Sequence, residues 1–225
     1  MPDTVFLIPA YNESSAIVEV IHNIPEEFDV VCVDDGSKDD TAAVINGTRA
    51  QLVRHCINLG QGAALQTAID YALQDEDYDY FVTFDADGQH RIEDVRSMID
   101  VMKSRDVDIV LGSRFLDDTS NVPALKRAIL KLAVRFSNTT SGLHLTDTHN
   151  GLRVMNRHAA ESMKLRMPDF SHASEIVTRI QELNLKYEEI PVTIIYSDYS
   201  RSKGQSVLNA INIAFDVIFN KVVGP

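Results

Sequence analysis

Short apolar runs recur through the first half of the chain, at residues 4–8, 29–33, 51–56, 80–84 and 107–111. Each ends within a few residues at a proline, acids, a glycine or an asparagine. Brief runs rich in β-branched and aromatic residues, bounded by turn formers, read as strands buried on both faces. The segments between them, about residues 13–22, 39–47, 63–73 and 92–103, carry helical spacing; Asn12 or Ser14 can cap the first and Pro25 ends it. Strict alternation of strand and helix with short loops predicts an α/β fold, a mainly parallel sheet with helices on both faces.

Beyond residue 115 the rhythm changes. Val122, Leu125, Ile129, Leu132 and Phe136 form one helical stripe, with Arg127, Lys131 and Arg135 on the opposite face. Two readings stand: a core helix with a solvated basic face, or a helix lying on an anionic membrane surface. A polar turn at 146–153 leads to a short apolar piece. A helix follows at 173–183, then a long strand at 186–196, a polar loop at 197–206 and an apolar helix at 207–222.

Composition narrows the classes. At 225 residues and 44% hydrophobic content the chain suits a single domain, here with a first part (1–115) and a second (116–225) of different rhythm. A formal charge of −12 argues against general nucleic-acid binding. Cys32 and Cys56 fall in apolar runs, as expected of reduced, buried thiols in a cytoplasmic protein. With no signal peptide and no apolar stretch near the ~20 residues that span a bilayer, any membrane contact is expected to be peripheral.

Candidate chemistry centres on the fourth strand. Its aromatic and β-branched run gives way within one residue to Asp85-Ala86-Asp87-Gly88, delivering two carboxylates to a strand's carboxyl end, where ligands bind in open α/β sheets. Extended alternation projects Asp85 and Asp87 in one direction, with Ala86 leaving space. Paired carboxylates repel unless a cation lies between them. Mg²⁺ or Mn²⁺, a hard ion that shares its shell with substrate phosphates, fits, and Gln89 adds a neutral oxygen. A plain turn using Asp and Gly for their geometry is the competing reading. Glu13, Asp34 and Asp35 follow the first two strands, and Arg114, Arg201 and Lys203 could neutralise phosphate oxygens. The inventory fits a nucleoside diphosphate. Neither GxxxxGK[ST] nor GxGxxG after the first strand is present.

The segments IPAYNE (8–13), VDDGS (33–37), NLGQG (58–62), FDADGQH (84–90) and GSRF (112–115), with the later NGLR and KGQS, resemble family 2 glycosyltransferases of GT-A fold. The likeness is to the dolichyl-phosphate mannose synthase-like and bacterial surface-polysaccharide branch. The resemblance covers almost the whole chain in order. It implies an inverting glycosyltransferase using a UDP- or GDP-linked sugar, with Pro9, Tyr11, Glu13 and Asp35 in the nucleotide pocket. Asp85, Ala86, Asp87 and Gln89 match the metal and diphosphate site, and Arg114 a phosphate or sugar contact. Arg201 and Lys203 match a loop that closes over the diphosphate, and Glu175 the acid near the acceptor, set against a plain exposed helix residue. The implied acceptor is a polyprenyl phosphate or lipid-linked glycan at the cytosolic membrane face. A soluble glycan hydroxyl, nucleotidyl transfer and a non-catalytic nucleotide-sugar binder are the alternatives. Asp147 and Arg153 read as a pair bracing their turn, and His90 and His149 as loop histidines without ligand spacing.

Overall fold

A computed structural model describes residues 3–116, 130–132, 134–135, 138–139, 142–148, 150–167 and 172–195. The expected alternation is there: β1 (Thr4–Ala10), α1 (Ile17–Asn23), β2 (Asp29–Asp34), α2 (Thr41–Asn46), β3 (Gln51–Arg54), α3 (Gln61–Ala72), β4 (Tyr80–Thr83), α4 (Ile92–Ser104) and β5 (Ile109–Ser113). Then come β6 (Arg153–Asn156), α5 (Arg157–Ser162), α6 (His172–Glu182) and β7 (Tyr187–Pro191). The sheet order is β3-β2-β1-β4-β6-β5-β7. All neighbours are parallel except β6, which runs antiparallel to both β4 and β5.

The sheet is covered on both faces, which is why β1 and β2 are apolar at successive positions instead of alternating. Val5, Leu7, Val31 and Val33 pack with α3, α5 and α6, while Phe6, Ile8, Val30 and Cys32 pack on the other side with α1 and α4. Phe6 stacks against both Phe28 and Phe84 at 5.3 Å.

Several expectations change. α1 starts late, after Ala16 and without a side-chain cap. Asn12 instead accepts from Lys38 N–H and Ser14 bonds Asp39, so both candidate caps tie the first loop to the second. The short apolar piece after the polar turn is a strand, and the long final strand is only β7. Beyond it Thr193 N–H donates to Asp94 and Ile195 N–H to the Gln89 carbonyl, which turns the chain off the sheet edge toward the fourth strand's loop. Cys32 is buried, with its thiol pushed up to about 12 by burial, but Cys56 lies past the end of β3 and is exposed. Of the basic helix's apolar stripe, Leu132 is 69% exposed, while Val134, outside the stripe, is buried, so at Leu132 the core-helix reading does not hold. Arg127, His149, Arg201, Lys203 and the helix at 207–222 lie outside the described residues. No helix among the described residues is long and apolar enough to cross a membrane.

Candidate active site

The carboxyl ends of β1, β2, β4 and β5 and the amino end of β6 lie along one edge of the sheet, where open α/β folds carry their ligand crevice. Pro9, the penultimate residue of β1, pairs with Val33, and Tyr11, 39% exposed, and Glu13 follow the strand. Their loop is pinned to the β2 loop: Asn12 N–H donates to Ser37 Oγ (2.9 Å) and Glu13 N–H to Thr41 Oγ1 (2.8 Å). Asp39 organises that junction. Burial alone would raise its carboxyl, but hydrogen bonds from Thr41 and Ser14 outweigh it and hold the group down at about 2.

The acids after β2 are engaged with loops. Asp34 accepts from Ser37 N–H (3.2 Å) and Arg54 Nε (3.0 Å). Asp35, expected in the nucleotide pocket, accepts from Leu59 N–H (2.9 Å) and Gly60 N–H (2.8 Å) and contacts His55 Nδ1 at 2.7 Å. His55 in turn touches Thr67 Oγ1 through Nε2 at 2.9 Å. Asp35 therefore shapes the 58–60 turn, where Gly60 at φ +94° adopts a backbone that other residues rarely take. Sequence reading missed His55; only its place beside a strand end hinted at it.

The two carboxylates after β4 are not equivalent. Asp85 is bonded to His90 Nε2 (2.9 Å) and receives a long contact from Gln61 Nε2 (3.4 Å). Burial raises its proton affinity, but His90, Arg153 and His172 together bring it below the usual carboxylate range. Asp87 accepts from Gln89 N–H (3.1 Å). Burial, then the charge of Asp85, push it up to about 6. Ala86 does more than leave space: it is buried in the core beside Phe84 and anchors the loop between the two acids. Among the described residues no three His, Cys, Asp or Glu side chains gather to hold a metal. The pair with Gln89 is a partial oxygen set that a ligand's own oxygens could complete.

His90 was passed over as a loop histidine. It is buried, edge-on to Phe84 at 5.4 Å, and its Nδ1 has no partner among the described residues. Its position five residues after Asp85 carried no spacing signal, because a reversed loop, with Gly88 at φ +72°, brings it back.

On the far side of the crevice the expected pairing changes. Asp147 is held bidentately by Arg114 (Nε 2.6 Å, Nη2 2.8 Å), not by Arg153. Glu189 on β7 braces that turn by accepting from Thr146 N–H and Asp147 N–H. Glu175, buried on the first turn of α6, accepts from Arg166 N–H (2.8 and 2.9 Å) and Met167 N–H (2.8 Å). It is thus neither an exposed helix residue nor a carboxylate with idle oxygens. The loop it holds presses on α3, since a Cβ on Gly62 would lie 2.3 Å from the Met167 carbonyl.

The profile of Glycosyl transferase family 2 matches residues 5–163. An uncharacterized protein of Methanocaldococcus jannaschii is 33% identical over 98% of this chain and 93% of its own length. A UDP-N-acetylglucosamine–dolichyl-phosphate N-acetylglucosaminyltransferase of Methanococcus voltae is 29% identical over 96% of this chain and 95% of its own. A polyprenol monophosphomannose synthase of Mycolicibacterium smegmatis is 27% identical, covering 93% and 82%. In fold, the chain is similar to glucosyl-3-phosphoglycerate synthase of Mycobacterium tuberculosis, crystallised with Mn²⁺ and UDP-glucose, at a TM-score of 0.71 and 16% identity. That likeness covers 98% of this chain and 78% of the synthase. With the acidic pair at the end of β4, a GT-A sheet and a family profile over most of its length, the chain belongs to glycosyltransferase family 2 and is an enzyme of that family.

Proposed function

We propose that this enzyme transfers a sugar, with inversion, from a nucleoside diphosphate to a polyprenyl phosphate presented at a membrane surface. The observation that carries the donor half is the unequal pair: Asp85 settled by His90, and Asp87, raised to about 6, in want of a cation. Asp85, Asp87 and Gln89 are the residues that would hold Mg²⁺ or Mn²⁺, and the structural relatives crystallised with Mn²⁺ or Mg²⁺ and UDP support that reading. When bound, the ion supplies Lewis-acid stabilisation of the leaving diphosphate. Tyr11 and Glu13 border the nucleotide, Asp35 shapes its pocket through the 58–60 turn, and Arg201 and Lys203 neutralise diphosphate charge as the glycosidic bond breaks.

The acceptor half rests on Glu175. A sugar hydroxyl needs a base to take its proton, whereas a phosphate attacks as an oxyanion already. Both Glu175 oxygens accept from backbone N–H groups, and Asp147 is bound by Arg114, so neither carboxylate is idle. The lipid-phosphate acceptors named for the M. voltae and M. smegmatis relatives agree.

The test incubates the protein with UDP- and GDP-sugars, Mn²⁺, and either a short polyprenyl phosphate or a soluble glycan. Glycosylated polyprenyl phosphate is the expected product, and Asp87→Ala should lower turnover on the order of 10³-fold. Efficient transfer to the soluble glycan alone overturns the acceptor reading. Metal-independent turnover, insensitive to Asp87→Ala, overturns the donor one.

A further inference from the structure

Arg153 opens β6, facing Thr83 of β4 and Leu111 of β5 in register, so its backbone stands between the last residue of β4 and the end of β5. It is 3% exposed. Two residues earlier the chain passes hard against Asp85: a Cβ on Gly151 would lie 2.3 Å from its Oδ2, and the Gly151 carbonyl accepts from Thr83 Oγ1 at 2.5 Å.

The guanidinium has no hydrogen bond or ion pair with any described residue. Asp85 and Asp147 act on it through space. Burial brings it down to about 10, which leaves it charged at neutral pH. Both neighbouring carboxylates are already bonded, Asp147 to Arg114 and Asp85 to His90. A buried charge is costly unless it is balanced, and here the local acids are already bonded elsewhere. The charge it lacks is one an incoming anion could bring.

We propose that Arg153 couples the two halves of the donor: it makes the acidic pair a poor site for a bare divalent cation and a good one for a cation arriving with a nucleoside diphosphate. This rests on the donor reading above and adds an order to it. A fixed positive charge close to Asp85 repels a free metal ion and attracts phosphate, and linkage requires each ligand to strengthen the other by the same factor. Arg153 is then a positioning residue that acts on the donor through charge. A purely architectural role predicts something different, since loosening β6 would weaken both ligands together.

Titration calorimetry on the full chain separates the two. Mn²⁺ alone, and UDP at saturating Mn²⁺ with GDP run in parallel, are titrated into the parent, Arg153→Met and Arg153→Lys. Arg153→Met should bind Mn²⁺ alone roughly tenfold more tightly and UDP with Mn²⁺ roughly tenfold more weakly, while Arg153→Lys stays within about threefold of the parent on both. If Arg153→Met shows no cooperative thermal transition, Arg153→Gln, which keeps a donor without the charge, is read in the same way. Both affinities falling in step, both unchanged, or Lys behaving as Met does, overturns the inference while the donor reading stands. A parent that binds neither Mn²⁺ nor UDP sinks that reading, and the inference with it.

Discussion

In the half of the sheet formed by β3, β2, β1 and β4, every strand ends at the crevice, and β1, β2 and β4 are followed there by acids; in the other half β6 runs in the opposite sense and begins there. The difference shows in what the charges do. On the parallel side Asp34, Asp35 and Asp39 all accept backbone N–H groups, and they set the shape of turns. Around β6 charge is set against charge: Arg114 on Asp147, and Arg153 between Asp85 and Asp147. Acids that look alike in sequence therefore do different work according to which way the neighbouring strand enters. A buried carboxylate that keeps backbone N–H donors, as Asp34 and Asp35 do, tolerates loss of a cation better than one held chiefly by a guanidinium.

The largest effect should come from the charged side. Arg114→Ala leaves the nearly inaccessible Asp147 carboxylate without its bidentate partner, and breaking such a buried pair costs about 3–5 kcal/mol. Arg54→Ala removes an exposed partner from Asp34, which is fully buried but keeps its bond from Ser37 N–H, and should cost less, about 1–2 kcal/mol. Urea unfolding of the two variants makes the comparison, and equal losses would remove the distinction between the halves.

A smaller and more selective effect belongs to Gly151. An alanine methyl there meets the end of the Asp85 side chain, which can swing away, instead of fixed backbone. Gly151→Ala should therefore keep its unfolding temperature within a few degrees and lose on the order of 10²-fold in turnover, the usual result of a misplaced group at a reacting centre. Unfolding in proportion to the lost activity would mean that Gly151 matters to packing and not to the placement of Asp85.

The smallest effect is on the parallel side, at Asp39. Its folded carboxyl is held down at about 2 against an ordinary 3.8, so the stability it lends is complete above about pH 4 and is lost as pH falls toward 2. Asp39→Ala should cost on the order of 1 kcal/mol at pH 7, the worth of exposed hydrogen bonds, with parent and variant curves converging between about pH 4 and 2. Curves that stay parallel through that window would show that the loop is held by something other than this carboxylate.

What the sequence made legible follows the same division. Alternating apolar runs mark β1 to β5 clearly, because a sheet covered on both faces demands them, and Asp85 and Asp87 are visible as a change of polarity at a strand end. β6 was not read as a strand. It has four residues, starts on a charged one and follows a polar turn, and only its neighbours β4 and β5 make Arg153 a strand residue. The pairing of Arg114 with Asp147 was hidden for a related reason: the partners lie on separate elements, and sequence proximity favoured Arg153. His90 was hidden by a loop reversal, and the hold of Asp35 on the 58–60 turn was hidden because its donors are backbone N–H groups far along the chain.

The inverted strand also bears on how the chain is made. β4 and β5 are complete well before residues 153–156 leave the ribosome, yet in the finished sheet they touch only through the strand that comes between them. Until then each presents an apolar edge with open hydrogen-bonding groups, and pairing with each other is the nearest wrong solution. Local helices such as α4, which joins the two, can form at once, whereas the strand that separates them is a late and long-range arrival. The same insertion that carries Arg153 to the crevice therefore makes its arrival a point at which the nascent protein is most exposed to misassembly.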